Sequence, residues 1–222
     1  MGVASESTGQ DFHDLFSVYL TIGTVVAVLV VGTIAYAVVR YRRRDGASPR
    51  EVGGLRQLEA LWIGLVAATV AALLIATFRT EGRVDAVSAN PRQTVRALAF
   101  QWGWRFSYPG TGVATTGNAD RPPTLVVPAS EPVRFELSSR DVIHAFWVPE
   151  LKFKRDAFPN RVITFDLVFD PGVTTIGRCA EFCGLDHDRM DFQVVAMQPE
   201  RFDRWLRERA APAGHPASGG RK

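Results

Sequence analysis

Cysteine is nearly absent from this chain: Cys179 and Cys183 are the only two among 222 residues. Histidine occurs four times and methionine three. No Cys-x-x-Cys-His is present, which excludes a covalently attached c-type haem. No internal repeat is visible. Two long runs carry almost no charge, and the segment before the first of them has no Lys or Arg. Between residue 90 and Pro199 no stretch of useful length repeats with a helical period. The scarce residues are not scattered. GRCAEFCGLDHDRMDF, residues 177–192, holds both cysteines, one histidine and one methionine.

The first uncharged run, LFSVYLTIGTVVAVLVVGTIAYAVV at residues 15–39, exceeds the roughly 20 residues needed to cross a bilayer core of about 30 Å. The second, LEALWIGLVAATVAALLIATF at 58–78, carries one charge, Glu59. Two core helices this long and apolar are rare in a soluble protein of this size, so both runs are expected to span a membrane. Removal of the first as a signal peptide is not expected. Its apolar stretch is too long, no basic segment precedes it, and arginines follow it. Between the runs lie Arg40, Arg42, Arg43, Arg44, Arg50 and Arg56 against Asp45 and Glu51, whereas Glu6, Asp11 and Asp14 precede the first. The positive-inside rule therefore puts the Arg-rich loop, 40–57, in the cytoplasm. It puts the N-terminal segment, 1–14, and everything after residue 79 on the outer face. The net charge of +3 owes much to this loop, and arginines that flank a span are not a nucleic-acid footprint.

A linker at 79–89 leads to an outer domain at 90–210. There VRALAFQWGWRFSYPG, TLVVPASEPVRFELSS, VIHAFWVPELKF, RVITFDLVFDPG and VTTIGRCAEF are β-branched and aromatic runs punctuated by Pro, Gly, Asn and Asp. They predict an antiparallel barrel or sandwich. PERFDRWLRERA predicts a short amphipathic helix over Pro199–Ala210, and the Pro/Gly-rich tail at 211–222 is expected to be disordered.

The sulfur cluster admits several readings. A disulfide between Cys179 and Cys183 would close a very short loop, gain little entropy, and leave His187 and Met190 unexplained. Zinc takes Cys and His, but a thioether is a poor ligand for it and the usual second ligand pair is lacking. Thiolate, imidazole and a weak thioether form the ligand set of copper electron-transfer sites. A mononuclear site needs one Cys, whereas here there are two, and two thiolates can bridge two metal ions. The only further histidine away from the chain ends is His144, in DVIHAFWVP; His13 precedes the first span and His215 lies in the tail. Two Cys, two His and Met190 match a dithiolate-bridged dicopper centre, with Phe146, Trp147, Phe182 and Phe192 expected as an apolar cage.

Three motifs, DVIHAFWVP, LKFKRDAFPNR and Cys179-x-Glu181-x-Cys183-x3-His187-x2-Met190, lie behind a two-span hairpin. Together they resemble subunit II of a haem-copper cytochrome c oxidase over nearly the whole chain. The resemblance implies a two-helix transmembrane hairpin followed by an all-β, cupredoxin-like Greek-key barrel holding Cu(A), on the outer face of a bacterial plasma membrane. It implies that Cys179 and Cys183 bridge both coppers, that His144 and His187 bind one each, and that Met190 and the backbone carbonyl of Glu181 are axial. The Glu181 carboxylate would reach a Mg²⁺ shared with subunit I, as suits a hard oxygen ligand. Trp102, in FQWGWRFSY, would receive the electron from a c-type cytochrome; many relatives have Tyr where this chain has Gly103, so no role carries over to that position. Glu59, with Trp62, would mark the cytoplasmic mouth of a proton pathway, although a carboxylate at a helix start is also favoured by the macrodipole alone. The expected partners are the haem-bearing subunit I, subunit III and the cytochrome donor. The expected function is electron input to a terminal oxidase that reduces O₂ and pumps protons. The copper subunit of a nitric oxide reductase and a membrane-anchored copper-delivery protein remain open alternatives. Relatives served by a small basic cytochrome c carry acids where this chain has Ser107, Pro122 and Arg140. Asp186, Asp188 and Asp191 remain near the sulfur loop. The thinned acidic footprint points to a membrane-tethered donor.

Overall fold

A computed structural model describes residues 8–42 and 53–210; most of the Arg-rich loop, the first seven residues and the tail at 211–222 lie outside the described residues. The chain divides into a helical unit, residues 12–82, and an outer unit that takes in residues 83 onward.

The helical unit consists of α1 (Thr8–Arg40) and α2 (Arg56–Val84). Both contain the apolar runs read from the sequence and extend past them at each end, because the flanking residues are tolerated in a helix and nothing punctuates the boundary. At about 1.5 Å per residue each reaches well beyond the ~30 Å of a bilayer core. Large apolar side chains such as Leu20, Val31, Leu61 and Ile63 point outward along both helices. Soluble domains rarely leave so much contiguous apolar surface uncovered. Several hydroxyls in these runs are satisfied within their own helix, as suits lipid: Thr21 and Thr69 donate to the carbonyls of Ser17 and Leu65 at 2.8 and 2.9 Å. Tyr19 links the two helices through Thr77 Oγ1 at 2.6 Å.

The outer unit is a sandwich of two five-stranded sheets. In chain order the strands are β1 (Gln93–Phe100), β2 (Gly103–Tyr108), β3 (Val113–Asn118), β4 (Thr124–Pro128), β5 (Val133–Ser139), β6 (His144–Val148), β7 (Phe153–Ala157), β8 (Ile163–Leu167), β9 (Thr174–Cys179) and β10 (Asp191–Met197), closed by α3 (Pro199–Ala210). One sheet runs β3-β2-β1-β5-β8, the other β4-β10-β9-β6-β7. The sequence suggested an antiparallel arrangement, yet two pairs are parallel: β1 with β5, and β10 with β4. A parallel pair needs a long crossover, and the intervening strands in both sheets supply one, so no local signal marks it.

Alternation sets the core. In β5 every second residue of VRFELSS is buried, and Phe135, Phe146, Phe165 and Phe192 meet between the sheets, with Phe146 and Phe192 stacked at 4.9 Å. Gly177 lies opposite Phe192 across the β9–β10 pair, and a Cβ there would sit 2.0 Å from the ring, so only glycine lets the aromatic lie flat on the strand. The helix α3 buries Phe202 and sets Trp205 against Tyr108, ring centroids 5.2 Å apart. The buried Tyr108 hydroxyl donates to the Val126 carbonyl at 2.8 Å and accepts from the Val126 amide at 2.9 Å, joining β2 of one sheet to β4 of the other.

Tyr108→Phe keeps the ring and strands both buried Val126 groups. It should destabilise the outer unit by about 1–3 kcal/mol. Denaturant unfolding checks this, and an unchanged midpoint would mean the hydroxyl does not join the sheets.

Candidate metal centre

The rare residues converge at one end of the sandwich. The strand β6 begins at His144 and β9 ends at Cys179, and the two are paired with Phe146 opposite Cys179. Beyond Cys179 the chain makes a loop that carries Glu181, Cys183, His187 and Met190 before β10 begins. The loop is closed by its own backbone: the Cys179 amide donates to the Met190 carbonyl at 3.0 Å, and the His187 amide to the Gly184 carbonyl at 3.3 Å.

The sulfurs of Cys179 and Cys183 lie 3.8 Å apart and both thiols are free. A disulfide would bring them to about 2.05 Å. His144 Nδ1 is 3.8 Å from the Cys179 sulfur, and His187 Nδ1 is 3.5 Å from the Cys183 sulfur. The Glu181 carbonyl oxygen lies 3.3 Å from the first sulfur and Met190 Sδ 3.8 Å from the second. Each thiol thus has one imidazole and one weaker donor. His144, Cys179 and Cys183 present ligand atoms within 4.8 Å of one another, all buried. Two sulfurs, two ring nitrogens, a thioether and a carbonyl oxygen suit soft ions better than zinc.

Electrostatics separates the two thiols. Burial works against the Cys179 thiolate, but hydrogen bonding to His144 and to the backbone outweighs it and brings its pKa down to about 7. Burial, and then the neighbouring Cys179 thiolate, push Cys183 up to about 12. The His144 pKa is raised: burial opposes this, and the hydrogen bonds to Cys179 and Asp141 overcome it. Asp141 itself is lowered, since its bonds to His144 and to the amides of Gln101 and Val142 outweigh its burial. His144 Nε2 meets Asp141 Oδ1 at 2.8 Å, which orients the ring so that Nδ1 faces the sulfurs.

The expected cage needs correction. Phe146 and Phe192 are fully buried beside the cluster, but Phe182 is 82 % exposed, with its ring edge on His187 at 5.7 Å. Trp147 is half-exposed, because the two-residue period of β6 turns it away from the face of His144 and Phe146. The place is taken by Trp104, whose ring lies 6.4 Å from His144 and 5.2 Å from Phe192 and whose indole N–H donates to the Met190 carbonyl at 3.3 Å.

Trp102 sits in the turn between β1 and β2, half-buried, and its indole N–H donates to the Cys183 carbonyl at 3.1 Å. Gly103 beside it has no room for a side chain: a Cβ would lie 2.2 Å from the Gly117 carbonyl oxygen. The Glu181 carboxylate is paired with Lys154, whose ammonium is also 3.4 Å from Asp156. Two of the loop acids, Asp186 and Asp191, are paired with arginines. Arg189 takes Asp120 at 2.5 Å and Asp186 at 3.6 Å, and Arg178 takes Asp191 at 3.9 Å. Arg140 lies over the Phe100 ring at 5.0 Å. Glu59 is exposed in the first turn of α2, in the other unit.

Residues 93–197 match the family model described as cytochrome C oxidase subunit II, periplasmic domain. The chain is 32% identical over 223 residues to a probable cytochrome c oxidase subunit 2 of Streptomyces avermitilis, with 82% of this chain and 70% of the relative covered. It is 28% identical over 255 residues to cytochrome c oxidase subunit 2 of Mycobacterium tuberculosis, with 86% and 70% covered. Among solved structures, the periplasmic domain of subunit II of cytochrome oxidase (CoxB) of Bradyrhizobium japonicum superposes with a TM-score of 0.50 at 27% identity, covering 55% of this chain and 96% of that one.

The metal-free thiols should titrate in two separated steps, with thiolate forming above about pH 7 in the first and only near pH 12 in the second. Thiolate absorbance near 240 nm against pH measures this. A single step of both thiols near the ordinary value of about 8.5 would contradict the coupled geometry.

Proposed function

Because this chain belongs to the cytochrome c oxidase subunit II family, we propose that it is the electron-input subunit of a haem-copper terminal oxidase. The observation that carries the reading is the convergence of two free thiols, two imidazoles, a thioether and a carbonyl oxygen at one end of the outer sandwich. Cys179, Cys183, His144, His187, Met190 and the Glu181 carbonyl would hold two copper ions. Such a dicopper thiolate centre takes up and releases one electron at a time with little rearrangement.

The residues around it serve that exchange. Trp104, Phe146 and Phe192 keep water from the buried side, and Asp141 holds the His144 ring in orientation. Trp102 spans the distance from the surface to the Cys183 carbonyl and would receive the electron from a c-type cytochrome. The Glu181 carboxylate would exchange Lys154 for a Mg²⁺ at the contact with the haem-bearing subunit I, and subunit III would complete the membrane core. Glu59, with Trp62, would sit at the cytoplasmic mouth of a proton pathway, in keeping with O₂ reduction coupled to pumping in subunit I. The two long apolar helices would anchor the chain in a bacterial plasma membrane with the outer unit on the far side from the arginine loop.

The donor docks on a face whose acids are mostly paired with Arg189 and Arg178. Long-range steering of a basic soluble cytochrome needs an unneutralised acidic patch. A membrane-tethered cytochrome replaces steering with high effective concentration.

The outer unit made without residues 1–85 should bind two coppers per chain and give a seven-line EPR signal with a purple colour, and His187→Ala should abolish that signal. One copper, a preference for zinc, or a colourless Cu(I) protein would defeat the reading; the last outcome marks a copper-delivery protein. In the assembled oxidase, reduction by a small basic soluble cytochrome c should be slow and weakly dependent on salt, and Trp102→Phe should slow it further without altering the copper spectrum. A fast rate that collapses between low and physiological ionic strength would show a working acidic patch instead.

A further inference from the structure

Gln101 belongs to no ligand set, and its side chain lies at the surface, so packing does not dictate its identity. Hydrogen bonding does. Its side-chain Nε2 donates to the Cys183 carbonyl oxygen at 2.7 Å, the same oxygen that accepts the Trp102 indole N–H at 3.1 Å. A carbonyl oxygen offers two lone pairs, and one dipeptide occupies both. The backbone amide of Gln101 donates to Asp141 Oδ2 at 2.8 Å, while Asp141 Oδ1 meets His144 Nε2 at 2.8 Å and accepts the Val142 amide at 2.8 Å. Gln101 therefore touches both halves of the site, the Cys183 side through its amide group and the His144 side through a shared carboxylate.

We propose that Gln101 is a positioning residue for electron input: it locks the Trp102 indole against the Cys183 carbonyl and, through Asp141, ties that turn to the His144 imidazole. This rests on the reading of Trp102 and the sulfur loop given above. A lone indole N–H bond on a half-buried ring is a modest constraint, since a net neutral hydrogen bond shifts a local equilibrium only about tenfold. The shorter Gln101 bond draws the carbonyl and the turn together, so that the indole bond has one geometry in which to form. Electron transfer weakens steeply with separation, so an indole that spends less time in its bonded placement passes electrons more slowly, in proportion to the population lost.

Gln101→Met keeps the length of the side chain and removes its donors. Gln101→Glu keeps the shape and sets a carboxylate against the carbonyl. In the assembled oxidase both variants should retain copper content and spectrum, bind the cytochrome donor as tightly as the parent, and accept electrons from it roughly tenfold more slowly, as the population of the bonded indole falls. In the metal-free full chain in detergent, exchange of the Trp102 indole proton followed by NMR should quicken about tenfold, while the Trp104 indole, bonded to Met190, stays protected. An unchanged rate, or unchanged Trp102 exchange, overturns the proposal. So does loss of the copper spectrum, which would make Gln101 a structural support of the ligands. Were Trp102→Phe harmless in the same assay, the reading of Trp102 would fail by itself, and quickened indole exchange in Gln101→Met would then leave Gln101 as no more than a loop tie.

Discussion

The amide of Cys179 donates to the carbonyl of Met190 at 3.0 Å, and that bond holds together both ends of the loop that bears every candidate ligand except His144. On one side the loop continues β9, paired with β6, which brings His144. On the other it continues β10, which lies between β9 and β4. The sandwich core is assembled on the same three strands, with Phe192 of β10 lying flat over Gly177 of β9 and stacked on Phe146 of β6. Ligand geometry and core packing are therefore one construction. A change that loosens the Phe192 contact reaches the sulfurs through the strand that follows Met190.

The candidate ligands come from one sheet and much of what restrains them from the other. The β1–β2 turn and β2 contribute no ligand, yet they supply Gln101, Trp102 and Trp104, whose N–H groups cap the carbonyls of Cys183 and Met190. The Cys183 carbonyl takes both its donors from this turn, whereas the Met190 carbonyl accepts the Trp104 indole in addition to the Cys179 amide. Cross-sheet bonding of this kind leaves the soft donors free to face inward.

Legibility followed sequence distance. Cys179, Glu181, Cys183, His187 and Met190 fall within twelve positions, so their chemistry and spacing could be read together, and the long uncharged runs announced their helices. The pairing of β1 with β5 and of β10 with β4 could not be read, because parallel neighbours joined across a sandwich leave no local trace. Asp141 was in view three residues before His144, but its second bond, to the Gln101 amide, crosses forty positions. Phe182 misled for a related reason: an aromatic next to a cysteine looks like a cage, and only the turn of the loop shows that its ring faces outward. Trp104 was visible as part of an aromatic strand, but its contact with Met190 joins residues eighty-six positions apart.

The position of β10 also bears on how the chain comes into being. Synthesis is vectorial, and strands β1 to β9 emerge before the segment that closes the loop. Until β10 inserts beside β4, nothing holds the two thiols at their separation, and Cys179 and Cys183 are close enough in sequence to find each other. In an oxidising compartment that interval exposes them to premature cross-linking. The order in which the strands are made thus bears on the state of the two sulfurs as well as on the closing of the loop.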